Sequence, residues 1–399
     1  MLADFFTSSN ASDESRMKTV KILCGFICFL VLASNVWSMS RWSEARGVYD
    51  DVCYLRQAHL FQRFGLDGLD TSISRDDDHY LSEKLKAIGF ADWNDPARAP
   101  CHTLMQATKK RVIQYPPGTG FVLALFPQGF QVIPLYMLAT AVIFGFALLG
   151  IHYARTAAST LLAAGFGCVA IYLMINPTKA SYSMAPTMVV CALAGLLTAR
   201  LFVKTPQRHP VLLTMLTGFL IGLAVNFRLA NLFLSAGYFL FFGVVFLRLR
   251  KLEAFLQGGL FGVAYLVGIA PTLIANAINA GSPLATTYGA DPNDLRPPGI
   301  DASILWAYFT DLQCVLLILA GAWVVLILRL YRGTGIRSVA LVTVLNLAVN
   351  VAYFMTHPTF NPYYTIPIAM LSLWSLLFAS LMRPTESADD RLIGQAAKA

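Results

Sequence analysis

Apolar residues fill most of this chain in long blocks, separated by short polar joints. A helix needs about 20 predominantly apolar residues to cross a bilayer. Ten blocks meet that length or come close: residues 20–40, 131–153, 159–176, 185–202, 211–227, 229–247, 255–276, 312–330, 338–356 and 364–382. An eleventh apolar run, 118–128, is too short to span, because Pro116 and Pro117 precede it and Pro127 ends it. The pattern predicts an all-α polytopic membrane protein. It has about ten transmembrane helices, one short re-entrant or half-membrane segment and a helical extracytoplasmic first loop. Four regions follow. Residues 1–40 are an N-terminal cytoplasmic segment and first helix, 41–118 a large outward loop, 119–383 the multi-helix membrane domain with an outward loop at 277–303, and 384–399 a cytoplasmic tail.

The charges test this topology. Joints predicted to be cytoplasmic carry Arg155, Lys204, Arg208, Arg248, Arg250, Lys251, Arg329, Arg332, Arg337 and Arg383, whereas the short outward joints carry only Lys179, Arg228 and Arg296. That asymmetry follows the positive-inside rule with both termini cytoplasmic, provided 118–128 does not cross by itself. The first apolar run is long for a signal peptide and lacks a small-x-small cleavage site, so it reads as an uncleaved helix. The chain is 56% hydrophobic and 13% charged, against about 25% charged in soluble domains. The net charge of +8 therefore reflects membrane orientation and not nucleic-acid binding. Five of the cysteines, Cys24, Cys28, Cys168, Cys191 and Cys314, fall in apolar runs. Cys53 and Cys101 share the 41–118 loop and are free either to pair or to stay apart, as distance decides.

Chemistry is sought where polar residues meet the membrane. In "GVYDDVCYLRQAHLFQRFG", Tyr54, Ala58, Phe61 and Phe64 recur at helical spacing, with Arg56, Gln57, His59, Gln62 and Arg63 on the other face. This predicts an amphipathic helix lying on the outer membrane surface. Asp50 and Asp51 stand at its N-terminus, where two readings are equal: a cap for free amides, or a general base at the membrane edge. "RDDDHY", residues 75–80, reads first as a solvated acidic turn, with a divalent cation as the alternative. Arg228, in "GLAVNFRLANLFLSAG", lies between two apolar runs at a depth where charges are rare. Snorkelling to headgroups would explain it, but its planar fork also matches phosphate oxygens. Lys179 and Arg296 are weaker candidates for the same role, and His357 is either a phosphate donor or a turn residue. In "KKRVIQYPPGTGFVLALFP", Tyr115, Pro116, Pro117 and Gly118 form an extended entry into the membrane, with Lys109, Lys110 and Arg111 as interfacial cations. All these groups map to one face at one depth beside lipid, which suggests chemistry on a phosphate-bearing lipid.

Taken together the motifs resemble the GT-C fold glycosyltransferases, membrane enzymes that use polyprenyl-phosphate-linked sugars. The resemblance rests on "YDDVCYLRQAHLFQRFG", "QYPPGTGFVLALF", "GLAVNFRLANLFL", "NAGSPLATTYG" and "NPYYTIPIAM", in that order along most of the chain. It implies an inverting hexosyl or pentosyl transfer at the extracytoplasmic face of a bacterial inner (plasma) membrane. Asp50, with Asp51 beside it, would be the base. Arg228 would lie near the lipid phosphate, and Tyr115, Pro116, Pro117 and Gly118 would line the cavity. The implied partners are a polyprenyl-phosphate sugar donor, membrane lipid and a glycan, lipid or protein acceptor, with no nucleic acid. A divalent cation is admitted as a cofactor but no ligand set is defined. Two departures stand out. Residues 177–184 lack the second acidic motif of many members, and no soluble domain follows the last helix here. Two other classes stay open: a lipid-linked sugar transporter or flippase, and a non-catalytic scaffold on the same fold.

Overall fold

The computed structural model describes residues 2–43, 49–174, 181–203, 209–288, 299–331, 333–356 and 360–382, with side chains from residue 14 onward. Its core is a helical bundle. The bundle helices are α1 (Leu2–Met39), α5 (Val132–Tyr153), α6 (Ala157–Tyr172), α7 (Met184–Val203), α8 (Pro210–Val225), α9 (Ala236–Leu249), α10 (Leu252–Ala280), α12 (Leu312–Leu330), α13 (Thr334–Thr356) and α14 (Ile366–Met382). A polar layer over one end holds α2 (Tyr49–Phe64), α3 (Tyr80–Ala87), α4 (Gly118–Leu123) and a short antiparallel hairpin, β1 (His102–Leu104) with β2 (Arg111–Ile113). α11 (Ala302–Thr310) precedes α12 at the same end.

Seven stretches are long and apolar enough to cross a membrane: Glu14–Met39, Val132–Tyr153, Met184–Val203, Leu229–Leu249, Leu252–Ala280, Leu312–Leu330 and Gly335–Thr356. The other three expected spans form shorter apolar helices, α6, α8 and α14, of 16, 16 and 17 residues. The outer faces of α1, α9, α10 and α12 expose Phe26, Leu240, Leu266 and Ile318. A continuous apolar exterior of this kind is stable only against hydrocarbon, so the chain is a multi-pass membrane protein. α14 lies at the centre, buried from Ile366 to Ala379, and packs on α7, where Trp374 presses against Gly195. α8 and α10 approach through Gly218 and Gly222, where any Cβ would run into the backbone of Phe261 or Tyr265. Small residues at such spacing allow membrane helices to close on one another.

Helix α10 continues through Pro271. Proline removes one backbone donor and crowds the preceding turn. Asn226, at the end of α8, braces the adjoining rung: its Nδ2 donates to Gly268 O at 2.7 Å and its Oδ1 accepts from Thr272 N at 2.9 Å. The amide thereby links Gly268 and Thr272 across the turn that holds Pro271.

Several expectations are corrected. The loop expected over 277–303 begins later, because α10 runs to Ala280, and α11 supplies a helix that periodicity did not predict. Helix α1 begins well before residue 20. Most consequentially, α2 does not lie on a membrane surface. Asp51 through Ala58, Leu60 and Phe61 are buried, with Arg56 completely so. Residues 65–113 cover its polar face. Arg56 donates to Thr71 O (3.0 Å), Ser72 O (2.9 Å) and His102 Nε2 (2.7 Å), and pairs with Asp76 at 3.6 Å. Burial depresses Arg56 to about 10, so it stays charged near neutrality. His102 uses Nδ1 to donate to Pro100 O at 2.7 Å, leaving Nε2 as acceptor. Burial and the adjacent guanidinium push His102 down to about 3.

Candidate functional site

The site forms where the polar layer meets the ends of α7, α8, α12 and α14. Asp50 and Asp51 occupy the first turn of α2 but have different surroundings. Asp51 is fully buried, and its Oδ1 accepts the backbone N–H of Tyr182 at 3.2 Å. It ties α2 to the segment entering α7. Asp50 is half-buried and accepts a hydrogen bond from the Tyr115 phenol. Tyr115 stacks on Tyr54 at 4.8 Å and meets Tyr288 at 5.9 Å. Burial, with the neighbouring Tyr54 and Asp50, raises the Tyr115 phenol far above its usual range, and burial also lifts Tyr54 to about 12. These phenols therefore stay protonated and act as neutral donors at any physiological pH.

Arg228 supplies the positive charge. It is buried at 8% exposure, directly before the Leu229–Leu249 span. Its guanidinium lies 4.8 Å from the Tyr363 ring and 4.5 Å from the Tyr364 ring, and one nitrogen faces Met184 Sδ at 3.6 Å. Among the described residues no carboxylate lies within ion-pairing distance of it. A buried arginine held by ring faces and a thioether keeps most of its N–H donors uncommitted. Tyr288 and Tyr363 experience both the Arg228 and the Asp50 charges, so cation and carboxylate border one cluster of phenols.

The supports are built from distant segments. Gln313 on α12 accepts from Thr365 N at 2.7 Å and donates to Asn361 O at 2.9 Å, fixing the turn that carries Tyr363 and Tyr364. The Tyr-Pro-Pro-Gly turn clamps the Arg228 segment: Gly118 N donates to Asn226 O at 2.7 Å and Thr119 Oγ1 to Phe227 O at 3.1 Å. Pro116 and Pro117 are buried and shape this turn, so of the four residues Tyr115 alone offers a polar group to Asp50.

The structure thus brings together Asp50, Tyr115, Gly118 and Arg228, and sets Asp51 behind them. Lys179, Arg296 and His357 lie outside the described residues. Sequence reasoning places Tyr54 only on the apolar face of a helix and assigns no site role to Tyr288, Tyr363, Tyr364 or Gln313. The tyrosines stood inside the quoted motifs, and Gln313 is a lone amide opening an apolar run.

Two groups that suggest metal ligands are occupied otherwise. In the acidic turn, Asp77 receives both Arg63 nitrogens, Asp78 pairs with His59 at 2.7 Å and Asp76 faces Arg56. Cys53 and Cys101, next to His102, form a disulfide with Cα atoms 6.6 Å apart. Both sulfurs and both imidazole nitrogens are therefore engaged. Lys110, one of the three interfacial cations, pairs with Asp70 at 2.9 Å.

No protein-family model, curated protein or solved structure matches the chain.

Proposed function

We propose that the chain is a glycosyltransferase that moves a sugar from a polyprenyl-phosphate donor to a glycan, lipid or protein acceptor at this end of the bundle. The observation carrying the reading is Arg228: a buried guanidinium without a carboxylate partner among the described residues, across a phenol cluster from Asp50. An uncompensated buried cation is costly, and an anionic ligand relieves that cost. The guanidinium fork suits phosphate.

In this mechanism the donor phosphate sits at Arg228. The bond from the anomeric carbon to the phosphate oxygen breaks, and the bonding pair leaves on the phosphate. Arg228 and the neutral phenols stabilise that growing charge. The acceptor oxygen forms the new bond from the opposite face and gives its proton to Asp50, inverting the centre. A groove of about 690 Å³, lined by Leu305, Trp306, Phe309, Leu317, Ile318 and Met355, lies beside this cluster. Its wall residue Tyr308 packs edge-on against Phe360 at 4.9 Å and feels the Arg228 charge. An apolar groove near the cation suits the isoprenoid chain of the same donor.

The test is sugar transfer by the full chain in proteoliposomes, with short-chain polyprenyl-phosphate sugars and a panel of acceptors. Asp50→Asn is expected to lower turnover about 100-fold or more while the donor still binds. Arg228→Gln is expected to lower turnover about as much and to weaken donor binding as well. Full activity in Asp50→Asn removes the base assignment, and unchanged donor binding in Arg228→Gln removes the phosphate assignment. Movement of intact donor across the bilayer without transfer would instead favour a flippase.

A further inference from the structure

A second polar concavity, of about 560 Å³, lies at the opposite end of the bundle. The helices α5, α7 and α14 each have one end near the proposed catalytic site and the other at this cavity, which α1 passes at Met17 and Lys21. Lys21 enters it from α1, Arg155 from the turn after α5 and Arg200 from α7, with His152 and Tyr153 beside them. Lys21 and Arg200 are half-buried. No carboxylate lines the cavity among the described residues. Ala154, Leu381 and Met17 give it apolar walls.

Orientation in a membrane needs cations near this end, but not cations that converge. Support of a helix C-terminus accounts for part of the arrangement, since Lys21 Nζ donates to His152 O in the last turn of α5 at 3.0 Å. That bond uses one of three ammonium donors. Arg200 gives one nitrogen to the Tyr153 hydroxyl at 3.3 Å, which leaves the rest of its fork open. Lys21 and Arg200, each with open donors and of like charge in a partly apolar pocket, repel one another unless an anion joins them. We propose that this cavity binds a phosphate group, carried by an anionic phospholipid headgroup or free in solution. Basic pockets between membrane helices suit such groups, and the apolar walls accommodate a lipid's glycerol and first methylenes.

The full-length protein in mild detergent is measured in two arms. Native mass spectrometry follows retention of phosphatidylglycerol against phosphatidylcholine, and thermal unfolding compares inorganic phosphate with chloride at equal ionic strength. Selective retention of phosphatidylglycerol supports a lipid source, and stabilisation by phosphate supports a free one. In either arm, Lys21→Gln is expected to weaken binding about fivefold and the double variant with Arg200→Gln about thirtyfold. Arg248→Gln, on α9 and outside the cavity, is expected to change nothing. Because Arg200 also holds Tyr153, Lys21→Gln alone carries the comparison should the double variant fail to fold. Absence of both effects, or equal weakening in all the variants, overturns the proposal.

Discussion

Asp50 and Asp51 are adjacent in sequence yet serve different ends, because one residue step, about 100° around the helix, sends one carboxylate inward and the other toward the phenols. Asp51→Ala leaves the Tyr182 N–H unpaired in a buried setting. An unsatisfied buried donor costs about 1–3 kcal/mol, so the melting temperature of this variant should fall, whereas Asp50→Asn should melt like the parent protein. Size-exclusion-monitored thermal unfolding checks both. His102 gives a second prediction at this scale. Its value falls from 6.5 to about 3 in the folded chain. Between those limits the unfolded chain binds the extra proton, so stability is full above about pH 6.5 and declines as pH falls toward 3. His102→Gln still offers Arg56 an acceptor but cannot titrate. The variant should therefore lose less melting temperature than the parent between pH 7 and 4, and equal slopes would exclude His102 as a source. Asp70, Asp77 and Asp78, whose partners hold them below the usual carboxylate range, leave a residual slope of the same sign. At the residue scale the sequence was readable for Asp50 and Arg228, since polar groups at a membrane boundary stand out. It was not readable for Gln313 or Tyr288, whose roles exist only through partners far along the chain.

Among elements, the clearest success and the clearest failure of sequence reasoning adjoin each other. The Tyr-Pro-Pro-Gly run reads as an entry into the membrane ahead of a segment too short to span, and Gly118 there meets Asn226. A Cβ on Gly118 would lie 2.7 Å from Asn226 O and 2.8 Å from its Cβ. Because the nearest atom is backbone, α4 would have to move off the end of α8. Gly118→Ala should therefore disturb the Arg228 segment and reduce donor binding, while an alanine at the unobstructed Gly145 should be tolerated. Donor-binding titrations of the two variants decide this. By contrast, the periodicity of α2 separates two faces and so predicts a helix on the membrane surface. Periodicity reports that a face is polar, not what stands opposite, and here residues 65–113 bring carbonyls, Asp76 and His102 to Arg56. Pro271 shows the same limit. It lies inside a readable span, but the amide that braces the turn around it belongs to Asn226, on another helix.

The polar layer as a whole is fastened both to the bundle and within itself. Asn279 on α10 accepts from Thr71 N at 3.0 Å and donates to Leu69 O at 2.8 Å, and the Cys53–Cys101 disulfide joins α2 to the hairpin region across a separation of 48 residues. Opening that loop should cost about 2–4 kcal/mol. Cys53→Ser is expected to lower the melting temperature, and a reducing agent should have the same effect on the parent but none on the variant. The bundle poses a different problem. Its innermost helix, α14, follows all the helices that surround it in chain order, and the turn just before it delivers Tyr363 and Tyr364 to Arg228. During synthesis the earlier spans must keep a place for a helix still in the ribosome. Until it arrives, Arg228 has no rings to rest on. On the proposed function, a chain whose centre is not yet filled would lack the aromatic bed of its phosphate-binding cation and would be inert until α14 seats.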